Sequence, residues 1–321
     1  MPPSFTVVRD HGPGLDALRG AVMALGNFDG VHRGHLQVIA TARERARALD
    51  RPAAALTFEP HPRKFFRPDE PLFRLTDESN KLRLFAAAGL DGAVVMTFDA
   101  ALASLTADEF VRNILVDRLA VSGAVVGFNF HFGKGRTGSP AFLAAAGQQH
   151  GFAVEVVPVF TDRGRPVSSG PIREALAAGD VAAAAELLGH PWFVTATVIP
   201  GDKRGRALGF PTANLVLDPA CRLRHGIYAV RVGIDGRRHD GVASFGRRPM
   251  FATPTPLLEV FLFDFADDLY GRSLDVAFIA WIREEMKFAD VDALVTRMKQ
   301  DSAAARAALA AAPDAFPPID Q

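Results

Sequence analysis

Short, uninterrupted apolar runs at 22–25, 53–58, 93–96, 124–126 and 153–157 punctuate the first half of the chain. Between them, over 36–49, 80–88, 107–119 and 139–150, the apolar residues fall at helical spacing. Strands without polar alternation are covered on both faces, and strands separated by helices run parallel. The pattern predicts a doubly wound α/β domain whose ligands sit beyond the carboxyl ends of its strands. Two short helices follow: 171–178, between Ser168/Ser169 and Gly179, and 181–188, between Asp180 and Gly189. The flanking residues are ordinary caps. From Phe193 the grammar changes. Strand-like runs at 193–199, 213–217, 228–234, 241–245, 257–263 and 274–282 are separated by turn residues alone. That spacing predicts an antiparallel barrel or sandwich, finished by a helix over 290–311. The change of pattern puts a domain boundary between 189 and 190, with an α/β domain over 1–189 and a β domain over 190–321.

The first apolar run feeds into Gly26-Asn27-Phe28-Asp29-Gly30-Val31-His32-Arg33-Gly34-His35 and then into a helical pattern. A tight turn ahead of a helix presents backbone N–H groups, and the helix dipole adds partial positive charge. His32 and His35 at this point admit three readings: zinc ligands, surface residues, or phosphate contacts. Zinc lacks a third ligand nearby in the sequence, and phosphate chemistry fits the turn best. A nucleotide under attack at phosphorus accumulates negative charge that two imidazoles can meet. The segment reads as a nucleotidyl-transfer site.

A second loop, 127–138, leaves another strand end. It contains a GxGxxG match at 133–138 that neither follows a strand directly nor occupies the first βα turn, so a dinucleotide fingerprint is not supported. The resemblance of 127–134 to a P-loop fails by one residue and lacks the Ser/Thr after Lys134. What remains is a mobile basic loop whose three phenylalanines, Phe128, Phe130 and Phe132, suit contact with adenine or a flavin. Ser168-Ser169-Gly170-Pro171-Ile172-Arg173 is a helix cap with proline in the first turn, and Arg173 gives it the character of an anion site.

In the second half, Gly201-Asp202-Lys203-Arg204-Gly205-Arg206 leads through Gly209-Phe210 into Pro211-Thr212-Ala213-Asn214. Basic residues between glycines suit a polyphosphate. Thr212 and Asn214 share a strand face and offer the neutral oxygens that magnesium accepts beside water and phosphate. Glu259 is a lone carboxylate in an apolar strand. Either it faces outward, or it faces the barrel mouth, where desolvation would lift its pKa from about 4.3 towards that of a general base.

Composition narrows the partners. The chain has 321 residues, of which 49% are hydrophobic, enough for two cores. Lys+Arg and Asp+Glu both number 36, and zero net charge argues against non-specific nucleic-acid binding. Cys221 is the sole cysteine, which excludes an internal disulfide and disfavours a cysteine zinc site. No apolar run approaches the roughly 18 residues of a membrane span, and no apolar leader follows a basic start. The expectation is a cytoplasmic protein with no membrane partner; oligomeric state is not legible.

These segments, in this order and spacing, resemble the bifunctional prokaryotic riboflavin kinase/FMN adenylyltransferase (FAD synthetase) family from about residue 20 to 306. Further similar segments are 57–62, 226–230, 241–251 and 268–272. The resemblance implies a nucleotidyltransferase-type α/β domain and a six-stranded Greek-key kinase barrel with a terminal helix. It implies two consecutive reactions: riboflavin and ATP give FMN, then FMN and ATP give FAD and pyrophosphate. Magnesium and ATP serve both steps, and riboflavin, FMN and ATP are the small-molecule ligands.

Carried over residue by residue, it makes Glu259 the base of the kinase step. Gly201, Lys203, Gly205, Arg206, Gly209, Pro211, Thr212 and Asn214 become nucleotide contacts there, with Thr212 and Asn214 also on the metal. In the adenylyl step His32, His35 and Arg173 are catalytic, and Gly26, Asn27, Phe28, Asp29, Gly30, Gly34, Asn129, Ser168 and Ser169 bind nucleotide. The chain departs from the family at Gly170, where a hydroxyl is common, and at Ser244, Met250 and Phe261. The first departure raises the narrower reading that only the kinase step is active. The other three are expected to alter flavin affinity.

Overall fold

The computed structural model describes residues 5–10, 12–201, 208–248 and 255–318. Lys203, Gly205, Arg206 and Met250 fall outside them. The described chain forms two compact units, Met1–Leu72 with Thr76–Ser168, and Phe73–Leu75 with the chain from Ser169 on.

The first unit holds a parallel sheet of β1 (Thr6–Arg9), β2 (Val22–Leu25), β3 (Ala53–Glu59), β4 (Gly92–Thr97), β5 (Gly123–Gly127) and β6 (Ala153–Val157). Their spatial order is β1-β4-β3-β2-β5-β6. β2 through β5 are almost entirely buried, as uninterrupted apolar runs require. From β2 the order climbs through β3 and β4 on one side, and through β5 and β6 on the other. The reversal therefore falls between β2 and β5, which pair with Leu25 opposite Val126. This is the crevice position where sheets of this kind bind ligands. It places the two loops that carry candidate chemistry side by side.

The expected elements recur within a residue or two at most ends. β1, at the sheet edge, was not among the expected strands, because only Val7 and Val8 of its four residues are apolar. The helix expected over 36–49 begins earlier, at Arg33, because His32 caps it with a side chain poorly suited to signal a cap. The helix expected over 107–119 opens with a Thr106–Glu109 capping box and continues as a π-helix over Phe110–Arg118.

In the second unit β9 (Phe193–Ile199), β10 (Ala213–Val216), β11 (Gly226–Ile234), β12 (Arg237–Arg248), β13 (Thr255–Leu262) and β14 (Ser273–Arg283) close into a barrel. A small hairpin, β7 (Thr161–Asp162) with β8 (Arg165–Pro166), precedes it in the chain and belongs to the first unit. The barrel order is β10-β13-β12-β11-β14-β9. β11, β12 and β13 form a meander and β14 returns beside β11, which is a Greek key. Alternate residues fill the interior: Ala213 and Leu215, Ala243 and Phe245, Leu258, Val260 and Leu262. The opposite face of the barrel wall carries Val242, Phe261 and Ala229, covered by Ala305 and Leu309 of the helix Val291–Ala311.

The helices Ser169–Ala178 and Val181–Leu188 bury Ile172, Leu176, Val181, Ala184 and Leu188 with Trp192 and Phe73 in the second unit. Trp192 also donates its indole N–H to the Leu75 carbonyl at 2.9 Å. Packing thus divides the chain ahead of residue 189, where the sequence pattern changes. Among the described residues no helix is long and apolar enough to cross a membrane.

Candidate active sites

The turn after β2 is built by three left-handed residues, Phe28 (φ 52°), Gly30 (φ 89°) and Val31 (φ 41°). Such angles are costly for a β-branched side chain, and strain of this kind gathers at functional sites. The turn is clamped from outside: Asp29 accepts from the Thr76 amide at 3.2 Å, and the Gly30 amide donates to the Thr76 hydroxyl at 3.0 Å. Phe28, only 1% exposed, packs edge-on against Phe85 and His35. Phe28, Asp29 and Gly30 are buried and shape the loop, whereas Asn27 is exposed and Gly26 partly so.

His32 is the N-cap of the helix Arg33–Leu49, its Nδ1 accepting from the His35 amide at 3.3 Å. The two imidazoles stack, with centroids 3.6 Å apart and planes 17° from parallel. Gly34 gives this stack room, since a Cβ there would lie 3.2 Å from the His32 ring, tighter than an ordinary contact. Burial pushes His32 down to about 4. Burial, with His32 and Lys81 as further positive neighbours, holds His35 well below the ordinary histidine range. Both rings are therefore neutral at pH 7. With Nδ1 accepting, the proton of neutral His32 sits on Nε2, which makes that atom a donor. The His35 Nδ1 is buried without a hydrogen-bond partner among the described residues. An orphaned ring nitrogen beside a helix N-terminus is the signature of a position meant for a polar ligand.

Beneath the turn lies a group that the sequence pattern did not reveal. Lys81 is 2% exposed and donates to Glu59, Thr57 and the Asn27 carbonyl. A lysine in a helix is ordinarily solvated. The available signal was its spacing, three and four residues before Leu84 and Phe85 on the buried face.

The neighbouring loop, 127–138, is tied by backbone hydrogen bonds. Phe132 and Gly138 exchange backbone hydrogen bonds, and Lys134 donates its amide to the Leu105 carbonyl at 2.7 Å. Phe132 is in the core against Phe110, with Phe130 stacked on it. Of the three phenylalanines Phe128, 51% exposed, is the one most open to solvent, Phe130 being half-buried. Asn129 is exposed beside it, its carbonyl engaged by the His131 ring at 3.0 Å. Ser168 closes the first unit. Ser169 and Arg173 belong to the second, where the Arg173 Nε donates to the Phe73 carbonyl at 2.6 Å.

On the barrel, Asn214 of β10 pairs in register with Glu259 of β13, which pairs with Ser244 of β12. Directly opposed residues share a face, and the neighbours on either side of each point into the core. Glu259 therefore projects from the outer wall of the barrel, not into its interior. Thr212 immediately precedes β10, and the Asn214 amide nitrogen lies 3.5 Å from the Thr212 carbonyl. Gly201 completes this corner, because a Cβ on it would collide with the Asn214 amide. Gly209 adopts φ 81°, and Pro211 is exposed. Phe210 and Phe261 meet edge to face at 5.1 Å. Two of the departures thus adjoin the carboxylate: Ser244 lies directly across from Glu259, and Phe261 two residues along the same strand face.

A doubly wound sheet with a histidine-bearing turn at its switch point, followed by a six-stranded Greek-key barrel with an outer polar row, defines a nucleotidyltransferase-type domain joined to a kinase-type barrel. The FAD synthetase family model matches residues 15–171 and the riboflavin kinase model residues 188–309. The chain belongs to the bifunctional riboflavin kinase/FMN adenylyltransferase family. It is 45% identical to the protein of that name from Pseudomonas fluorescens over 290 residues, covering 90% of this chain and 93% of the relative. The Escherichia coli K12 protein is 40% identical over 89% of this chain and 92% of the relative. The Bacillus subtilis protein is 37% identical, over 88% and 90%. A solved structure from Streptococcus pneumoniae, described as a macrolide-efflux protein, superposes with a TM-score of 0.83 at 30% identity, covering 94% of this chain and 98% of the other.

Proposed function

We propose that this chain makes both flavin cofactors in sequence, phosphorylating riboflavin to FMN on the barrel and adenylylating FMN to FAD on the α/β sheet. The observation that carries the reading is the presence, in one chain, of both family matches over the two units, each with its own polar cluster. The adenylyltransferase domain is assigned to 1–189 and the kinase domain to 190–321. The first family match ends at residue 171 and the second begins at residue 188, two residues ahead of that boundary.

The two clusters differ in the way the two reactions demand. In the kinase step a neutral ribityl hydroxyl must lose its proton as it attacks the γ-phosphorus. Glu259 is the carboxylate assigned to take it. In the adenylyl step the nucleophile is already a phosphate anion. No base is needed, and the difficulty is negative charge gathering at the α-phosphorus. His32, through its Nε2 donor, with His35 and the helix N-terminus, meets that charge, and Arg173 is assigned to the same step. Phe28, Asp29, Gly30 and Gly34 act by holding the turn. Gly26, Asn27, Asn129, Ser168 and Ser169 are assigned to the nucleotide.

Magnesium fits the donor set at the barrel: the Thr212 hydroxyl and the Asn214 carbonyl oxygen are hard neutral ligands, with an amide nitrogen turned towards Thr212. When bound it would neutralise phosphate oxygens. Gly201, Lys203, Gly205, Arg206, Gly209 and Pro211 are assigned to the ATP phosphates. Dependence on ATP supports a cytoplasmic location.

The test is incubation with riboflavin, ATP and magnesium, with the flavins separated by chromatography over time. FMN followed by FAD supports the whole reading. FMN alone restricts the activity to the barrel and points to Gly170. Binding of riboflavin without either product would indicate a flavin sensor.

A further inference from the structure

The Lys81 cation has no place in either step as assigned above, yet it touches the loop that carries the adenylyl site. It lies on the buried face of the helix Glu78–Ala87 with Leu84 and Phe85. Its ammonium donates to Glu59 Oε1 at 2.8 Å, Thr57 Oγ1 at 3.2 Å and the Asn27 carbonyl at 3.4 Å. Thr57 and Glu59 are two apart on β3 and share a face. Asn27 is the second residue beyond β2. One side chain therefore ties the carboxyl ends of two adjacent strands, at the edge where the sheet binds ligands.

Stability alone does not account for such a group. Replacing a buried ion pair by apolar side chains of similar volume is often neutral or stabilising, whereas breaking one half is costly. The cation does supply orientation and potential. A trans peptide is planar, with its C=O and N–H pointing opposite ways. With the Asn27 carbonyl drawn towards Lys81 and towards the Thr57 hydroxyl, which donates to it at 3.3 Å, the Phe28 N–H is directed away from β3. The charge of Lys81 also bears on His35, whose ring stacks on His32.

We infer that Lys81 is a positioning residue for adenylyl transfer, which, anchored by Glu59 and Thr57, sets the peptide between Asn27 and Phe28 and places a buried positive charge under the histidine pair. The inference rests on the reading of this unit as the adenylyl site.

The experiment uses the full chain and follows FAD formation from FMN and ATP, with riboflavin phosphorylation by the same preparation as the internal control. Lys81→Met should lower kcat for FAD on the order of 100-fold, the scale of losing one preorganised electrostatic group. KM for FMN and ATP should move less than about threefold, since ground-state binding is not its role. Lys81→Met combined with Glu59→Gln removes the uncompensated carboxylate. It should restore the thermal transition seen by circular dichroism while FAD formation stays slow. Lys81→Arg keeps the charge and should recover most of the rate.

The inference is overturned if the double variant regains the parent rate, which would make Lys81 purely structural. It is equally overturned if Lys81→Arg is as slow as Lys81→Met. Should the methionine variants fail to fold, Glu59→Gln carries the test by neutralising the closest anchor of Lys81, because Thr57 also donates directly to the Asn27 carbonyl and its removal would not isolate the lysine. A several-fold loss in kcat at constant KM supports the inference, and an unchanged rate overturns it. If instead the parent makes no FAD, or His32→Ala leaves FAD formation untouched, the reading of the site itself fails.

Discussion

Lowering the pH should destabilise the first unit through its histidine pair, by an amount that follows from burial. His32 titrates near 4 in the folded chain, against about 6.5 when exposed. Below pH 6.5 the unfolded chain therefore binds a proton that the folded chain refuses, and stability falls as pH falls. The loss begins near 6.5 and is complete below about 4. Between pH 7.5 and 5 the linkage relation gives about 2 kcal/mol for His32 alone, and His35, shifted the same way, adds to it. Both tryptophans and both tyrosines, at 192, 281, 228 and 270, lie in the second unit. Tryptophan fluorescence accordingly follows the barrel, whereas far-ultraviolet circular dichroism follows both units. Urea unfolding at pH 7.5 and 5, monitored both ways, should show the dichroism transition weakening more than the fluorescence one. His32→Asn keeps a capping side chain without a titrating group and should reduce the pH dependence by about 2 kcal/mol. An unchanged pH dependence in that variant would refute the argument that His32 is held neutral by burial.

Four other outcomes follow from the geometry. Binding of ATP near pH 6 should take up protons, because a phosphate beside His32 raises its pKa towards neutrality. Calorimetry in two buffers of different ionisation enthalpy measures this, and the uptake should shrink in His32→Asn. Glu259→Gln should slow riboflavin phosphorylation about 10²–10⁴-fold and leave conversion of FMN to FAD intact. Equal loss of both in a folded variant would refute the division between the two units. Phe132→Ala should cost about 3–5 kcal/mol of stability, as for other buried phenylalanines. Phe128→Ala should cost under about 0.5 kcal/mol and, if its exposed ring stacks on a ligand base, raise KM in the adenylyl step.

The individual strands and helices were legible in the sequence because their causes are local. The run 22–25 has no polar residue, so it is a strand buried on both faces, and β2 has the same bounds. The turn at 26–35 was equally visible, because glycines ahead of a helical pattern mark one, and Phe28, Gly30 and Val31 build it with positive φ.

What tertiary structure decided is everything that depends on which strand lies beside which. Nothing local puts β5 next to β2, yet that pairing creates the switch point and brings loop 127–138 beside the histidine turn. Register across β10, β13 and β12 aligns Asn214, Glu259 and Ser244, which are far apart in the chain. It also settles that Glu259 faces outward. The phenylalanines of 127–138 read alike in sequence, but packing against Phe110 takes Phe132 into the core and leaves Phe128 outside. Lys81 is the extreme case. Its type predicts a solvated surface charge although its spacing puts it on the buried helix face, and only the convergence of β2, β3 and their turn supplies the acceptors that let an ammonium be buried. Propensity and periodicity act over a few residues, whereas burial and pairing of charge depend on neighbours that the folded chain brings from elsewhere.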